Sequence, residues 1–225
     1  MENYMRLNEE KAIEYDFVIK DKNGRVIRDK ETGKVKVNHR LKELEGRTAE
    51  LEYFGKKFIH DFTKGWYDHY DALATATTQT SNTFVHEYKA YGDIDHIRFR
   101  DGMYDKNGVW HSYPDYTVDF VKLVYVTSEG KNTGRIPLLI VFFYDYVCVW
   151  NLLKANWETT GFWEDVNAKA CEYGKKKESS YMARLFFDPE DGKKEHGNIV
   201  NKKLDDGFWD KVKRKINEDY PGLYE

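Results

Sequence analysis

The sequence predicts a mixed α/β protein in which a central mixed β-sheet is flanked by helices. Residues 41–62 place apolar side chains at helical spacing over about five turns. Residues 72–77 and 83–91 are rich in β-favouring residues and flank the polar segment TQTSN, which predicts a hairpin. Residues 135–150 form an apolar run that is typical of a central strand buried on both faces. At 225 residues and 40% hydrophobic composition, the chain can bury a substantial core.

The termini add smaller elements to this prediction. Residues 15–20 and 25–28 flank the segment DKNG, whose Asn-Gly pair suits a tight hairpin turn. A second turn, KETG, leads into residues 34–37, so we expect an N-terminal β-meander of three strands. Trp209, Val212 and Ile216 predict a short amphipathic helix near the C-terminus. Residues 117–126 fit either a strand or a buried helix.

No linker composition divides the chain, so we expect one domain over residues 1–225, with an N-terminal β arm at 1–40, a core at 41–150 and a C-terminal region at 151–225. Cys148 and Cys171 are too few for a disulfide framework and lack the spacing of metal ligands. The polar start MENYMRLNEE has no signal-peptide pattern. The longest apolar run is shorter than the roughly 20 residues of a membrane span. We therefore expect a cytoplasmic protein without a membrane partner.

The net charge of −3 conceals two basic segments. Residues 20–42 contain nine lysines and arginines against three acidic residues, and residues 193–215 contain eight against four. Basic side chains bind nucleic-acid phosphates, so these segments favour a phosphate-binding surface, although ordinary solvated faces would also account for them. The candidate nucleic-acid-binding residues are Arg25, Arg28, Lys34, Lys36, Lys175 and Lys176.

An acidic residue, any residue and a lysine form a pattern that suits metal-dependent phosphodiester cleavage. Carboxylates hold the divalent cation, and a nearby ammonium group orients the attacking water. In a strand the first and third residues lie on the same face, so they can act together. The pattern occurs at Glu9/Lys11, Glu87/Lys89, Glu129/Lys131 and Asp191/Lys193.

Context selects Glu87 and Lys89 among these four pairs. The pairs at Glu129 and Asp191 have glycine at the middle position, in segments with the composition of turns, and Glu9 follows too little chain to have a partner strand. Asp71 opens the strand before Glu87, and the predicted hairpin brings these two carboxylates side by side. Asp115 precedes Glu129, so Asp115 with Glu129 and Lys131 is the alternative candidate site.

Residues 41–62, Asp71, the tripeptide Glu87-Tyr88-Lys89 and residues 117–146 together resemble the PD-(D/E)XK nuclease superfamily, and more narrowly the type II restriction endonucleases. The chain lacks a proline before Asp71, and Asp68 is an alternative for the same acidic position. The resemblance implies a restriction-endonuclease-like core at 41–150. It further implies that a glutamate of the preceding helix, Glu50 or Glu43, lies near the metal.

What the resemblance implies about function is specific. Asp71 and Glu87 would bind Mg²⁺, and Lys89 would orient the hydrolytic water. The protein would cleave double-stranded DNA at a specific site as a homodimer, with residues 151–225 contributing to DNA recognition.

Two other hypotheses stay open. The first is a non-catalytic factor, of phage origin, that binds nucleic acid or protein through residues 20–42, with Glu87 and Lys89 as an exposed ion pair. The second is a metal hydrolase centred on Asp93, Asp95 and His96, with His111 nearby, because carboxylates and imidazoles can share one ion.

Overall fold

A computed structural model describes residues 4–62, 70–77, 82–90, 103–104, 110–111, 115–154, 162–165, 171–172, 175–176, 180–186 and 199–225. The chain forms two compact units. The first unit combines the two ends of the chain, Met1–Gly55 and Asp205–Glu225, and the second is Lys56–Leu204. The fold is mixed α/β with a six-stranded mixed sheet, which confirms the predicted fold class.

The helices and strands of the described residues are numbered in chain order. The α-helices are α1 (Glu9–Glu14), α2 (His39–Phe54), α3 (Phe120–Thr133) and α4 (Phe208–Asp219), with a 3₁₀ turn at Leu152–Lys154. The strands are β1 (Phe58–Phe62), β2 (Ala72–Ala76), β3 (Thr83–Ala90), β4 (Met103–Tyr104), β5 (Trp110–His111), β6 (Asp115–Asp119), β7 (Ile136–Phe142), β8 (Tyr146–Asn151), β9 (Phe162–Asp165), β10 (Cys171–Glu172), β11 (Lys175–Lys176), β12 (Ser180–Phe186) and β13 (Ile199–Lys203). None of these helices has the length and apolar character of a membrane-spanning segment.

In the first unit, the predicted β-meander is present as three segments joined by isolated bridges. These bridges are Val18 to Val37, Lys20 to Val26, and Arg28 to Val35. Gly24 and Gly33 adopt φ angles of 78° and 70°, the left-handed conformation expected at the two turns. The same unit contains α2 and α4, which are joined by an ion pair of 2.6 Å between Lys215 and Glu52.

The helix predicted over 41–62 is shorter than expected. Asn38 caps α2 by accepting a hydrogen bond of 3.3 Å from the backbone N–H of Leu41, and the helix ends at Phe54. Gly55 follows, and β1 then runs from Phe58 to Phe62. A spacing of four residues puts 58 and 62 on the same face of either a helix or a strand, so the apolar pattern alone did not separate the two.

The second unit is organised around the six-stranded sheet, whose order is β1-β2-β3-β7-β8-β13. β3 and β7 are parallel, and the other neighbours are antiparallel. The predicted hairpin of 72–77 with 83–91 is confirmed as β2 and β3. A separate antiparallel sheet has the order β6-β12-β9, and β4-β5 and β10-β11 form short pairs.

The run at 135–150, predicted as one strand, is instead the hairpin of β7 and β8. The backbone N–H of Phe143 donates to the carbonyl of Tyr146 at 2.7 Å and closes the turn. Both strands lie inside the sheet and are largely buried, so their sequences join into one apolar run. Only Tyr144 and Asp145 mark the turn between them.

Residues 117–126 contain both of the elements that the sequence left open. β6 ends at Asp119, whose side chain accepts a hydrogen bond of 3.0 Å from the N–H of Val121 and starts α3. The apolar face of α3 packs on the central sheet. The core at this interface includes Val85, Val118, Leu123, Val126, Leu139, Val141, Phe143, Cys148, Trp150 and Leu152.

The predicted C-terminal helix is confirmed as α4. The strand predicted at 94–100 and the turn at 105–108 fall outside the described residues.

Gly130 provides a test of this packing. A Cβ atom on Gly130 would lie 2.7 Å from Cδ of Pro137 and 2.9 Å from the carbonyl oxygen of Arg135. Both neighbours are rigid, so we expect Gly130→Ala to lower the free energy of unfolding by about 1–3 kcal/mol. Urea unfolding followed by circular dichroism measures this change. Ser128→Ala, at an exposed position of the same helix, is the control, and an equal stability of the two variants would contradict the packing argument.

Candidate active site

The hairpin of β2 and β3 places two carboxylates on one face of the sheet. Asp71 directly precedes β2, and its backbone N–H donates to the carbonyl of His86 at 2.9 Å. Ala72 pairs with His86, so the next position of the same register sets Asp71 opposite Glu87. Opposed residues of an antiparallel pair project from the same face. The Asp71 side chain is held there, because its Oδ2 accepts the backbone N–H of Tyr88 at 2.8 Å.

Lys89 lies on the same face as Glu87, two residues along β3. Its Nζ atom is 2.5 Å from Oε1 of Glu87, which makes a charge-assisted hydrogen bond. The structure therefore brings together Asp71, Glu87 and Lys89, the three residues that the sequence singled out. Their roles in metal binding and catalysis remain a prediction.

Lys122 is a fourth member of this cluster, and sequence reasoning missed it. It lies in the first turn of α3, and its Nζ donates to the same Oε1 atom of Glu87 at 3.1 Å. A single charged residue within the apolar segment 120–126 is the signal that could have drawn attention to it. We call Asp71, Glu87, Lys89 and Lys122 the acid–lysine cluster.

The two carboxylates have opposite pKa shifts. Burial, together with the negative charge of Glu87, raises the pKa of Asp71 to about 7, against a weaker opposing effect of Lys89. Burial alone would also raise the pKa of Glu87, whose side chain is only 1% exposed. The charges of Lys89 and Lys122, with their hydrogen bonds, outweigh that effect and lower the pKa of Glu87. Near neutral pH the pair therefore titrates as a coupled unit in which Glu87 keeps its charge.

The donor set of the cluster fits a hard divalent cation. Carboxylate oxygens are the ligands that Mg²⁺ prefers, and Asp71 with Glu87 would hold it. A cation held by both carboxylates would relieve the repulsion that raises the pKa of Asp71. Lys89 and Lys122 would then become available to other anions, because each ammonium group donates, without the cation, to the Glu87 oxygen that the cation would take.

The opposite face of the sheet is an aromatic layer. His86 of β3 is buried there, with its ring 6.0 Å from those of Phe58 and His60. His60 stacks on Phe62 at 5.4 Å. Because His86 and Glu87 are adjacent in a strand, their side chains leave the sheet on opposite faces. His86 therefore packs among aromatic rings and does not face the acid–lysine cluster.

The other acid-x-Lys pairs do not reproduce this geometry. Glu129 and Lys131 lie in the last turns of α3, where residues two apart point in different directions. Glu9 and Lys11 lie on α1, and Glu9 is paired with Arg28. Asp191 falls outside the described residues.

The remaining predicted metal ligands are distributed as follows. Glu50 is a buried residue of α2 in the first unit, and Glu43, on the same helix, is exposed and pairs with His39 at 3.1 Å. Asp68 and the rival cluster of Asp93, Asp95 and His96 lie outside the described residues, as does the side chain of His111. A metal-binding role for any of these residues stays a prediction.

Several cations of the basic segment 20–42 are engaged by acidic side chains. Arg28 donates to Glu9 at 2.6 Å and to the carbonyl of Gly33 at 2.9 Å, and Lys36 pairs with Asp29 at 3.6 Å. Arg25 and Lys34 are exposed. The side chains of Lys175 and Lys176, in β11, lie outside the description. The positive surface of this segment is therefore smaller than its residue count indicates.

Comparisons of the chain with protein-family models, with curated protein sequences and with solved structures find no match. The resemblance to the PD-(D/E)XK superfamily accordingly rests on the residues quoted above. The geometry of the acid–lysine cluster is the feature of the described residues that bears most directly on function.

The raised pKa of Asp71 predicts a pH-dependent cost to stability. Between about pH 4 and pH 7 the folded protein retains a proton on Asp71 that the unfolded chain releases, so stability falls as the pH rises through this range. Asp71→Asn keeps an oxygen for the N–H of Tyr88 and removes the ionisation. We expect this variant to gain stability over the wild type, and to gain about 2 kcal/mol more at about pH 8 than at about pH 5.

Urea unfolding without divalent cations measures that difference. Asp61→Asn, at an exposed position of β1, is the matched control. A gain of the same size for Asp71→Asn at both pH values would show that Asp71 is ionised throughout this range.

Proposed function

We propose that this protein is a type II restriction-like endonuclease that hydrolyses phosphodiester bonds of double-stranded DNA at a specific site in the presence of Mg²⁺. The observation that carries the proposal is the acid–lysine cluster. Glu87, only 1% exposed, lies opposite Asp71 and holds the ammonium groups of both Lys89 and Lys122 on one oxygen. Two carboxylates with adjacent cations are what cleavage of a phosphodiester by a metal-activated water requires.

Each residue has a distinct task in this mechanism. Asp71 and Glu87 would hold Mg²⁺, which would supply Lewis acidity and an activated water. Lys89, which lies beside Glu87 on β3, would orient the attacking water and stabilise the negative charge that develops on the phosphate. The water oxygen bonds to phosphorus and gives up one proton to solvent, one phosphorus–oxygen bond of the backbone breaks, and the leaving oxygen takes up a proton from solvent, so that one water molecule is consumed.

The substrate and assembly follow from the same proposal. A two-fold symmetric homodimer presents two identical sites, so it cuts both strands of a palindromic sequence equivalently. Exposed cations such as Arg25 supply phosphate contacts that do not depend on sequence. The proposed function includes a cytoplasmic location, where such a DNA substrate would be met.

A non-catalytic nucleic-acid- or protein-binding factor is the second candidate, and one observation favours it. Two lysines already compensate the charge of Glu87 without any metal ion, as in a structural ion-pair network. Incubation of supercoiled plasmid DNA with Mg²⁺ and, separately, with EDTA distinguishes the two functions. Metal-dependent nicking or linearisation supports the nuclease, and an intact plasmid under both conditions overturns it.

Glu87 and Lys89 should behave as one catalytic unit. We expect Glu87→Gln and Lys89→Ala each to lower the cleavage rate by about 10²-fold or more, because one removes a metal ligand and the other leaves the water unoriented. The double variant should be little worse than either single variant. Rates of plasmid cleavage in Mg²⁺ measure these effects, with circular dichroism to establish folding.

Glu129→Gln and Lys131→Ala are the controls, since they alter the acid-x-Lys pair of α3 outside the cluster. A folded Glu87→Gln or Lys89→Ala variant that cleaves near the wild-type rate would remove this site from consideration.

Arg25 should act on DNA phosphates rather than on bases. We expect Arg25→Ala to weaken binding to specific and unrelated DNA by the same factor, and to reduce the slope of log affinity against log salt by about 1. Gel-shift titrations at several salt concentrations give both quantities. Arg28→Ala is a useful comparison, because its guanidinium is already engaged by Glu9 and its loss should change the slope less. A change in sequence preference alone would exclude a phosphate contact by Arg25.

A further inference from the structure

Lys122 brings a second positive charge to Glu87, whose single negative charge is already paired with Lys89. The carboxylate of Glu87 already receives the ammonium group of Lys89 at 2.5 Å, and Lys122 adds a second cation at 3.1 Å on the same oxygen. The first turn of a helix disfavours a positive charge, because the helix dipole is positive there. Helix stability therefore does not account for a lysine at this position of α3.

The two lysines approach the carboxylate from different elements and differ in exposure. The side chain of Lys89, on β3, is 31% exposed, and that of Lys122, on α3, is 49% exposed. Because both ammonium groups bind one oxygen atom, both are close enough to contact one phosphate group. Lys122 is the one that presents more of its surface to an incoming ligand.

The charge of Lys122 can be explained by comparing the total charge of the cluster with that of a bound phosphate. With both carboxylates ionised, the four side chains of the acid–lysine cluster have no net charge. A bound divalent cation brings the total to two positive charges, which matches the two negative charges of a pentavalent phosphorane. Without Lys122 the metal-bound site would be one charge short of that balance.

We infer that Lys122 is a second phosphate-binding residue of this site, which exchanges Glu87 for the scissile phosphate when the metal binds. The inference rests on the proposed nuclease function and extends it to a residue of α3. Lys122 takes part in no bond-making step. It donates hydrogen bonds to a non-bridging phosphate oxygen, while Lys89 serves the attacking water.

Three variants test this role. Lys122→Met removes the charge and keeps an apolar stem, Lys122→Arg restores a cation, and Lys131→Met changes an exposed lysine near the other end of α3. Mn²⁺ affinity without DNA, measured by calorimetry, should rise several-fold in Lys122→Met because a competing cation is gone. DNA affinity in Ca²⁺ should fall about tenfold, and the salt slope should decrease by about 1. Lys122→Arg should recover most of the DNA affinity, and Lys131→Met should match the wild type.

The outcomes separate this inference from the function on which it rests. If the wild type cleaves DNA and folded Lys122→Met keeps its DNA affinity and salt slope, the inference is overturned and the nuclease stands. Loss of cleavage with unchanged DNA binding would likewise overturn it, because Lys122 would then act only by positioning Glu87. Absence of cleavage by the wild type would overturn both. Lys122→Gln replaces Lys122→Met in all three measurements if the methionine variant does not fold.

Discussion

The buried carboxylate of Glu87 is the constraint around which the second unit is organised. An ion of this kind costs several kcal/mol when it is removed from water, unless charged partners compensate it. Lys89 comes from the same strand, whereas Lys122 requires that the first turn of α3 lie beside β3. The apolar face of α3, with Leu123 and Val126 in the core, holds the helix there. The ion pairs and the core packing therefore depend on each other.

The register of β2 and β3 decides which residues meet at the cluster. A shift of one residue would exchange the faces of β3, sending Glu87 into the aromatic layer and His86 toward α3. Packing on both faces opposes such a shift: Val85 and Leu139 are buried beneath α3, and the ring of Phe58 lies against His86 on the other side. Apolar contacts on both faces thus help to hold the register that sets Asp71 opposite Glu87.

Local chemistry made part of this arrangement predictable from sequence. Asp71, Glu87 and Lys89 belong to one hairpin, and strand alternation alone places them on one face. Lys122 comes from α3, which is separated in sequence from β3 by β4, β5 and β6, so only tertiary packing brings it to Glu87. The end of α2 and the turn between β7 and β8 were missed for a different reason. A four-residue spacing fits helix and strand alike, and two buried strands in succession read as one apolar run.

The opposite pKa shifts of Asp71 and Glu87 show that the folded protein stabilises the charged form of Glu87 and destabilises the charged form of Asp71. The two lysines stabilise the charge of Glu87, whereas nothing of equal strength offsets the burial of Asp71 and its repulsion by Glu87. We therefore expect an ionised Asp71 to cost stability at neutral pH relative to a neutral side chain at this position. A divalent cation held by Asp71 and Glu87 would remove this penalty, and the relief of their repulsion would add to the affinity for the metal. An asparagine would accept the same backbone N–H of Tyr88 without that cost, so an ionisable side chain at position 71 is expected of a binding site rather than of a purely structural ion-pair network.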